Sequence, residues 1–240
     1  MPIISAPDGR FENLPNYPFA PHYVEVGDGL NMHYVNEGTG DEVILCLHGQ
    51  PSWSFLYRHM IPILAEKYRV VAPDLIGFGK SDKYTELEEY TFDMHYTALQ
   101  NFIKALDLTN ITLVCQDWGG VLGLPTASVE QPERFSRLVI MNTGLPTGDL
   151  PPREAFTQWR EMVQKQGTSI DIERVFEFSI MRDDHKTPEI LAAYNAPFPD
   201  ERHKAGVATF PLLVPIKEDD PGAAKMSDAR DALSQWDKPA

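Results

Sequence analysis

One carboxylate, Asp117, stands between a short apolar run and a pair of glycines near the middle of the chain. The apolar run at residues 111–114 predicts a buried strand, and a helical pattern begins after Gly120. A carboxylate at the apex of such a strand-to-helix turn can attack carbon directly and form an ester, because it needs no base to activate it. The alternative is a plain helix N-cap, a common place for aspartate. Gly119 and Gly120 favour the interpretation of Asp117 as a nucleophile, because a tight strand-to-helix turn needs glycines and a plain N-cap does not.

The elements around Asp117 alternate between strand and helix. The predicted strands are residues 23–26, 30–35, 43–47, 69–72, 111–114 and 138–141, and the predicted helices before Asp117 are residues 54–67 and 92–106. The first two strands read as a hairpin, and the later alternation indicates an α/β fold whose mostly parallel sheet has helices on both faces. Pro125 lies inside the helix after Asp117, where we expect it to remove one backbone hydrogen bond and bend the helix.

The pattern changes near residue 144, where glycine and proline become frequent and predicted strands end. We interpret residues 148–217 as a helical cap inserted over the carboxyl edge of the sheet, where open α/β sheets bind ligands. The predicted division is therefore a core at 1–147, the cap at 148–217 and a helix returning to the core at 218–240. The returning helix carries an apolar face made of Met226, Ala229, Leu233 and Trp236.

Composition indicates a globular chain with a substantial core and excludes several partners. Of the 240 residues, 42% are hydrophobic, and the net charge is −14. An acidic surface argues against nucleic acid and anionic membranes, and no apolar run is long enough to span a membrane. Residues 1–5 lack a signal-peptide pattern, and Cys46 and Cys115 read as buried thiols, so we predict a cytoplasmic protein. The histidines lack ligand spacing, so we expect no metal site.

Four segments together resemble the haloalkane dehalogenases, enzymes of the α/β-hydrolase fold. They are HGQPSW at 48–53, APDLIGFGKSD at 72–82, QDWGG at 116–120 and AYNAPFP at 193–199. The first two occur widely in α/β-hydrolases. Aspartate followed by tryptophan at the turn, together with a tryptophan in the cap, narrows the resemblance to the dehalogenases. The similarity extends from about Phe11 to the last residue.

The resemblance implies a role for each residue of the site. Asp117 matches the aspartate that displaces halide from carbon, and Trp118 and Trp159 match the indole donors that hold the departing halide. The backbone N–H groups of Gln50 and Trp118 match the oxyanion hole. Without the resemblance, Trp159 is better explained as a core aromatic of the cap, and Gln50 as a turn residue before Pro51.

Further residues are expected around these groups. An apolar pocket suited to an uncharged substrate is expected from Phe156, Phe210, Pro211 and Val214. The same four residues fit plain packing of the cap equally well. His48 and Asp74 lie at strand ends and are expected to be structural, Asp74 as the brace of a turn.

The resemblance does not extend to the general base, for which this sequence offers no matching residue. In the resembled family a histidine, oriented by an acid, activates water against the ester, and both follow later strands. The last histidine here is His203, and we expect it and His185 at the surface. Residues 138–141 look buried on both faces, yet Pro211 and Pro215 interrupt the only later apolar run. We therefore expect an N-terminal part of a longer protein, with the last strands missing.

The predicted function is hydrolytic dehalogenation of haloalkanes through an alkyl ester of Asp117, with turnover dependent on a base that these residues lack. An epoxide hydrolase uses the same nucleophile, but it needs donors such as a pair of cap tyrosines, and Tyr194 is the only tyrosine after residue 97. A catalytically inactive binding protein is the second alternative. The expected partners are a small apolar halogenated substrate and halide. No cofactor is expected, and the sequence leaves the oligomeric state open.

Overall fold

The computed structural model describes residues 2–240 and contains a six-stranded sheet flanked by helices. In chain order the strands are β1 (Ile3–Ile4), β2 (His22–Glu25), β3 (Asn31–Glu37), β4 (Val43–Leu47), β5 (Arg69–Pro73), β6 (Lys83–Tyr84), β7 (Ile111–Gln116) and β8 (Phe135–Met141). The α-helices are α1 (Met60–Leu64), α2 (Phe92–Ala105), α3 (Trp118–Pro125), α4 (Glu154–Gln166), α5 (Ile172–Ser179), α6 (Pro188–Asn195), α7 (Ala205–Leu213) and α8 (Ala223–Leu233).

The main sheet is parallel on the side that carries Asp117. Its strand order is β2-β3-β5-β4-β7-β8, with antiparallel pairing from β2 to β5 and parallel pairing from β5 to β8. All residues of β4 are buried, as are the residues of β7 up to Cys115, which is typical of parallel strands covered by helices on both faces. The predicted hairpin and the predicted α/β fold are confirmed.

The helix predicted at residues 54–67 is shorter than expected. A 3₁₀ turn occupies Ser54–Tyr57, and the α-helix itself is confined to α1. Pro62 lies in α1 and has no N–H with which to continue the helical hydrogen bonding from the preceding turn. The prediction for α2 is confirmed, since this helix begins directly after Thr91, whose side chain accepts a hydrogen bond from the N–H of Met94.

Pro125 changes the helix after Asp117 as expected. It ends α3, and the chain continues as a π-helical turn over Thr126–Glu130. The N–H of Gln131 closes this wide turn on the carbonyl oxygen of Thr126 at 3.0 Å. Because proline cannot donate to the preceding turn, the hydrogen bonding shifts to the longer spacing.

The burial predicted for β8 is wrong. Val139 is 39% exposed and Ile140 is 48% exposed, although both were expected to be covered. The physical reason is that β8 is the edge of the sheet, because no strand in residues 2–240 pairs with its free side. The only main-chain bond we find there comes from the N–H of Leu138, which donates to the carbonyl oxygen of Pro239 at 3.0 Å.

Four helices, α4 to α7, follow β8, and residues 148–217 contain no strand. The chain then returns to the core through α8, where Met226 and Ala229 are fully buried. Leu233 and Trp236 are partly buried against the same core, which confirms the predicted apolar face. The boundaries placed at residues 148 and 217 stay predictions.

Candidate active site

Asp117 occupies the sharp turn between β7 and α3. Its backbone has φ 52° and ψ −123°, a conformation that costs a residue with a side chain about 1–3 kcal/mol. Two residues that follow β8 hold the turn. The N–H of Asp117 donates to the carbonyl oxygen of Asn142 at 3.2 Å, and the hydroxyl of Thr143 donates to the carbonyl oxygen of Asp117 at 2.7 Å. The turn is thus supported by the segment that follows the neighbouring strand.

Small residues around this turn are a steric necessity. A Cβ at Gly119 would overlap the carbonyl oxygen of Leu47 at the end of β4, and one at Gly120 would overlap the side chain of Thr143. A Cβ at Gly49 would overlap the side chain of Asp117 itself. The predicted need for glycine in this turn is therefore confirmed at Gly119, where the backbone of the adjacent parallel strand leaves no room for a Cβ.

The Asp117 carboxylate is held by backbone donors. The N–H of Gln50 donates to Oδ1 at 2.8 Å. Burial raises the pKa of Asp117, while hydrogen bonds from the backbone N–H groups of Gln50 and Trp118 pull this pKa back towards its ordinary value. No salt bridge to Asp117 is found among the described residues. The site therefore stabilises the carboxylate by oriented N–H dipoles, which can equally stabilise an oxyanion.

Gln50 also connects the loop after β4 to α7. Its side-chain Nε2 donates to the carbonyl oxygen of Val207 in α7 at 2.9 Å, while its backbone N–H faces Asp117. The sequence around Pro51 does not reveal this second bond, because its two partners are 157 positions apart. Gln50 is thus more than the turn residue that its position alone indicates.

A cavity of about 490 Å³ lies directly over Asp117. Its wall consists of the turn, the segment after β8, the start of α4 and the end of α7. Apart from Asp117 and Arg153, the lining side chains are uncharged. Proline contributes many of them, at Pro146, Pro151, Pro152, Pro211 and Pro215. The cavity suits a small, uncharged ligand that meets the carboxylate of Asp117.

Both predicted halide donors line this cavity. Trp118 is only 3% exposed, and its ring packs against Phe210 with 4.4 Å between ring centroids. Trp159 is half-buried. Among residues 2–240 we find no protein acceptor for either indole N–H. Trp53 differs, because it is sealed in the core and donates its N–H to the carbonyl oxygen of Ala193 at 3.2 Å. The indole N–H groups of Trp118 and Trp159 thus have no protein acceptor, and both side chains line the cavity that holds the Asp117 carboxylate.

Three of the four predicted pocket residues line the cavity, and one does not. Phe156, Pro211 and Val214 are in the wall. Phe210 is fully buried behind Trp118, and it also contacts His95, with 4.4 Å between ring centroids. The prediction for Phe210 is wrong because neighbouring residues of α7 face different directions, and the cavity lies on the side of Pro211.

Sequence reasoning missed Asn142 and Thr143. Both line the cavity as well as holding the turn at Asp117. The available signal was their place directly after β8, because the carboxyl ends of neighbouring parallel strands meet at one edge of the sheet. The glycine and proline residues that follow indicate a loop but not where it lies in the fold.

None of the histidines in residues 2–240 lines the cavity; they are His22, His33, His48, His59, His95, His185 and His203. His95 is the one behind Phe210. Its Nε2 has no hydrogen-bond partner, and burial lowers its pKa to about 3, so it stays neutral. His203 is buried and bonded to Asp200 at 2.7 Å, so its predicted surface position is wrong.

His48 and Asp74 are structural, as predicted. His48 Nε2 accepts the N–H of Leu75 at 2.9 Å, and its other ring nitrogen contacts the carbonyl of Gly49. The Asp74 carboxylate is buried and bonded to His33 at 2.7 Å and to the N–H of Ser54 at 2.7 Å. Burial alone would raise the pKa of Asp74, yet the charge and hydrogen bond of His33 hold it below the usual range.

Other binding chemistry is not evident in the described part of the chain. Residues 2–240 contain no cluster of three or more histidine, cysteine or acidic side chains that could hold a metal ion. No helix in that range is long and apolar enough to cross a membrane. Tyr194 is buried against Phe176, with 3.8 Å between ring centroids, and lies outside the cavity lining. The cavity wall formed by the described residues therefore lacks the tyrosine donors that epoxide opening requires.

Comparison with known proteins points to one group of enzymes. A family model described as alpha/beta hydrolase fold matches residues 42–175. The haloalkane dehalogenase of Psychrobacter cryohalolentis is 46% identical over 250 aligned positions, which cover 100% of this chain and 80% of that protein. The haloalkane dehalogenase of Mycobacterium marinum is 44% identical, with coverage of 100% and 81%.

Solved structures agree with these sequence matches. The tetrameric structure of haloalkane dehalogenase DpaA from Paraglaciecola agarilytica NO2 superposes with a TM-score of 0.93 at 38% identity, covering 99% of this chain and 80% of that chain. The crystal structure of haloalkane dehalogenase DatA from Agrobacterium tumefaciens C58 gives a TM-score of 0.74 at 28% identity, covering 97% and 80%.

Proposed function

This chain belongs to the haloalkane dehalogenases of the α/β-hydrolase fold, and we propose that its Asp117 displaces halide from the carbon of a small haloalkane. The family carries out hydrolytic dehalogenation, so this protein is a member of a hydrolase family. The observation that carries the residue assignment is the cavity in which one carboxylate meets two indoles without protein acceptors.

The first chemical step forms an ester on Asp117. A carboxylate oxygen attacks the halogen-bearing carbon in line, the carbon–oxygen bond forms, and the carbon–halogen bond breaks with its electron pair leaving on the halide. The backbone donors of Gln50 and Trp118 orient the attacking carboxylate. The strained backbone at Asp117 supports this role, because such strain is retained where a site needs a side chain presented at a sharp turn.

Trp118 and Trp159 stabilise the departing halide. Negative charge builds on the halogen in the transition state, and N–H donors that are already oriented in a cavity poor in charge lower the energy of that charge. Removing one such donor costs about 3 kcal/mol in comparable sites. Phe156, Pro211 and Val214 supply the apolar wall that holds the alkyl group.

Hydrolysis of the ester requires a base that activates water. No histidine lines the cavity in residues 2–240, and His95 is neutral and separated from it by Phe210. These residues alone therefore support alkylation of Asp117 once per chain. Return of free enzyme depends on a base supplied from elsewhere.

Intact mass spectrometry of the protein after incubation with 1-bromobutane tests this proposal. The expected result is addition of one butyl group per chain, located on Asp117 by peptide mapping, together with release of an equivalent of bromide. The Asp117→Asn variant is the matched control, because it keeps the shape of the side chain and loses the nucleophilic oxygen. A folded protein that gains no mass on Asp117 would contradict the proposal.

A parallel incubation separates the alternatives. 1,2-Epoxybutane gives an ester adduct or a diol only if the cavity can donate a proton to the alkoxide, which its lining does not favour. A catalytically inactive binding protein gives no adduct with either compound, even when bromide binds. The cytoplasmic location stays a prediction from the sequence.

A further inference from the structure

Two walls of the cavity come from different cap helices. α4 contributes Phe156 and Trp159, and the end of α7 contributes Pro211 together with Val214 just beyond it. The position of α4 relative to α7 therefore decides where the indole N–H of Trp159 points. A donor that is misplaced by a fraction of its bond length loses much of its effect on an anion.

One side chain bridges these two walls. Arg160, the residue after Trp159, donates from Nη1 to the carbonyl oxygen of Pro211 at 2.8 Å and to that of Val214 at 3.3 Å. These are the only side-chain hydrogen bonds that we find between α4 and the segment 205–214 in the described chain. Arg160 is half-buried, so its bonds are partly shielded from water.

Arg160 replaces a hydrogen bond that the sequence prevents. In a continuing helix the carbonyl of Pro211 would accept from the N–H of residue 215. That residue is Pro215, which has no N–H. The carbonyl of Val214 lies past the end of α7 and has no partner within the helix either. A guanidinium suits both carbonyls, because it is a fixed, permanently charged donor at the negative end of a helix.

Few other polar groups hold α4 in place. Val163 is the one fully buried residue of this helix, and Trp159 and Met162 pack partly buried against the core. Polar restraints are fewer, since the N-cap residue Arg153 makes no side-chain capping bond. In the described chain the indole N–H of Trp159 has no protein acceptor that would fix the ring from its own side. The bond from Arg160 is therefore the main polar restraint next to Trp159.

We propose that Arg160 is a positioning residue for halide binding: by tying α4 to the end of α7, it aims the indole N–H of Trp159 into the cavity. This inference rests on the proposed function. It assigns Arg160 no contact with substrate or halide, and it predicts that halide affinity depends on a side chain that lies outside the cavity lining.

Titration with sodium bromide at constant ionic strength, followed by tryptophan fluorescence, tests the inference. Arg160→Met keeps most of the apolar stem and removes the donors, so we expect bromide affinity to fall about tenfold, the size of one lost charged hydrogen bond. Arg160→Lys keeps the charge with a single donor group and should retain part of the affinity. Lys165→Met, on an exposed position of α4, is the matched control and should bind bromide like the unsubstituted chain.

A second readout separates positioning from general loosening of the cap. The rate of Asp117 alkylation by 1-chlorobutane, 1-bromobutane and 1-iodobutane is measured in single turnover for each variant. A misplaced halide donor slows the chloride most, because the smallest ion depends most on hydrogen bonding, whereas a loosened cap slows all three equally.

The outcomes are distinguishable. Folded Arg160→Met that binds bromide within about twofold of the unsubstituted chain, or equal slowing for all three halides, overturns the inference while leaving the proposed function intact. If Arg160→Met does not fold, the same titration of Arg160→Lys decides, and unchanged affinity counts against the inference. Absence of saturable bromide quenching in the unsubstituted chain overturns the halide site itself, and this inference with it.

Discussion

Replacement of Trp159 by phenylalanine removes one N–H donor from the cavity and little else. The indole lines the cavity, is half-buried and has no protein acceptor in the described chain, so Trp159→Phe breaks no internal hydrogen bond. The phenyl ring keeps much of the apolar area that packs against the core. The change is therefore close to a single deletion of the donor that we assign to the halide.

The expected magnitude follows from that single deletion. A donor oriented at a developing anion in a shielded site contributes about 3 kcal/mol to the transition state. That energy corresponds to a rate decrease of about a hundredfold, since each factor of ten in rate needs about 1.4 kcal/mol. Phe156 and Val214 remain to hold the alkyl group, so the substrate concentration that half-saturates alkylation should change much less than the maximal rate.

Single-turnover alkylation by 1-bromobutane, quantified by intact mass against time, measures this rate. Trp53→Phe is the matched control, because Trp53 is buried, donates its N–H to Ala193 and lies outside the cavity lining. We expect Trp53→Phe to lose about 2–4 kcal/mol of stability, because it leaves a void and an unpaired carbonyl at Ala193, with little change in alkylation rate. A Trp159→Phe rate within about threefold of the unsubstituted chain, or equal rate losses in both variants, would refute the assignment of Trp159.

The remaining predictions concern the carboxylates and the turn. Because burial raises the pKa of Asp117, its alkylation rate should fall as the pH drops through a value above the ordinary aspartate pKa of about 3.9. A pH–rate profile with its midpoint at or below that ordinary pKa counts against this prediction. By the same linkage Asp117→Asn should be more stable than the unsubstituted chain at pH 7, with the difference vanishing below the unfolded-state pKa in urea unfolding. Gly119→Ala should cost about 1–3 kcal/mol or more of stability, because its Cβ would overlap the β4 backbone, and it should abolish alkylation. Gly9→Ala is the control: its Cβ would meet no atom within 4 Å, so the melting temperature should stay unchanged. Asp74→Asn should cost about 3–5 kcal/mol of stability, because it leaves the buried His33 without its carboxylate. Since the pKa of Asp74 is held low, this loss should be full near neutral pH and shrink as the pH falls below the ordinary carboxyl range. An equal loss of stability at every pH would contradict the structural role of the Asp74 carboxylate.

Local contacts explain what could be predicted at the turn. Asp117, Gly119 and Gly120 are neighbours in sequence, and the turn between a buried strand and a helix demands glycine wherever a Cβ would meet the adjacent strand. The same holds for α2, whose first turn is capped by Thr91, and for the effect of Pro125 on α3. The family resemblance extended these local patterns to Gln50 and Trp159.

Errors arose where a residue's environment depends on distant parts of the chain. Phe210 and Pro211 are adjacent in a helix that is apolar on all sides, so periodicity could not tell which of them meets the cavity. Val139 and Ile140 have the composition of a covered strand, but their exposure depends on whether another strand pairs with β8. Both questions are decided by neighbours in space.

By itself, the sequence indicated Asp117 as the candidate nucleophile and determined its turn and the α/β alternation, because those features arise from side-chain sterics and hydrogen bonding over a few consecutive residues. Tertiary structure alone decided that Asn142 and Thr143 brace the turn, that Gln50 reaches α7, and that Arg160 joins the walls of the cavity. The side-chain bonds of this set connect residues between 26 and 157 positions apart, and their formation depends on how the strands and the helices α4 and α7 pack against each other.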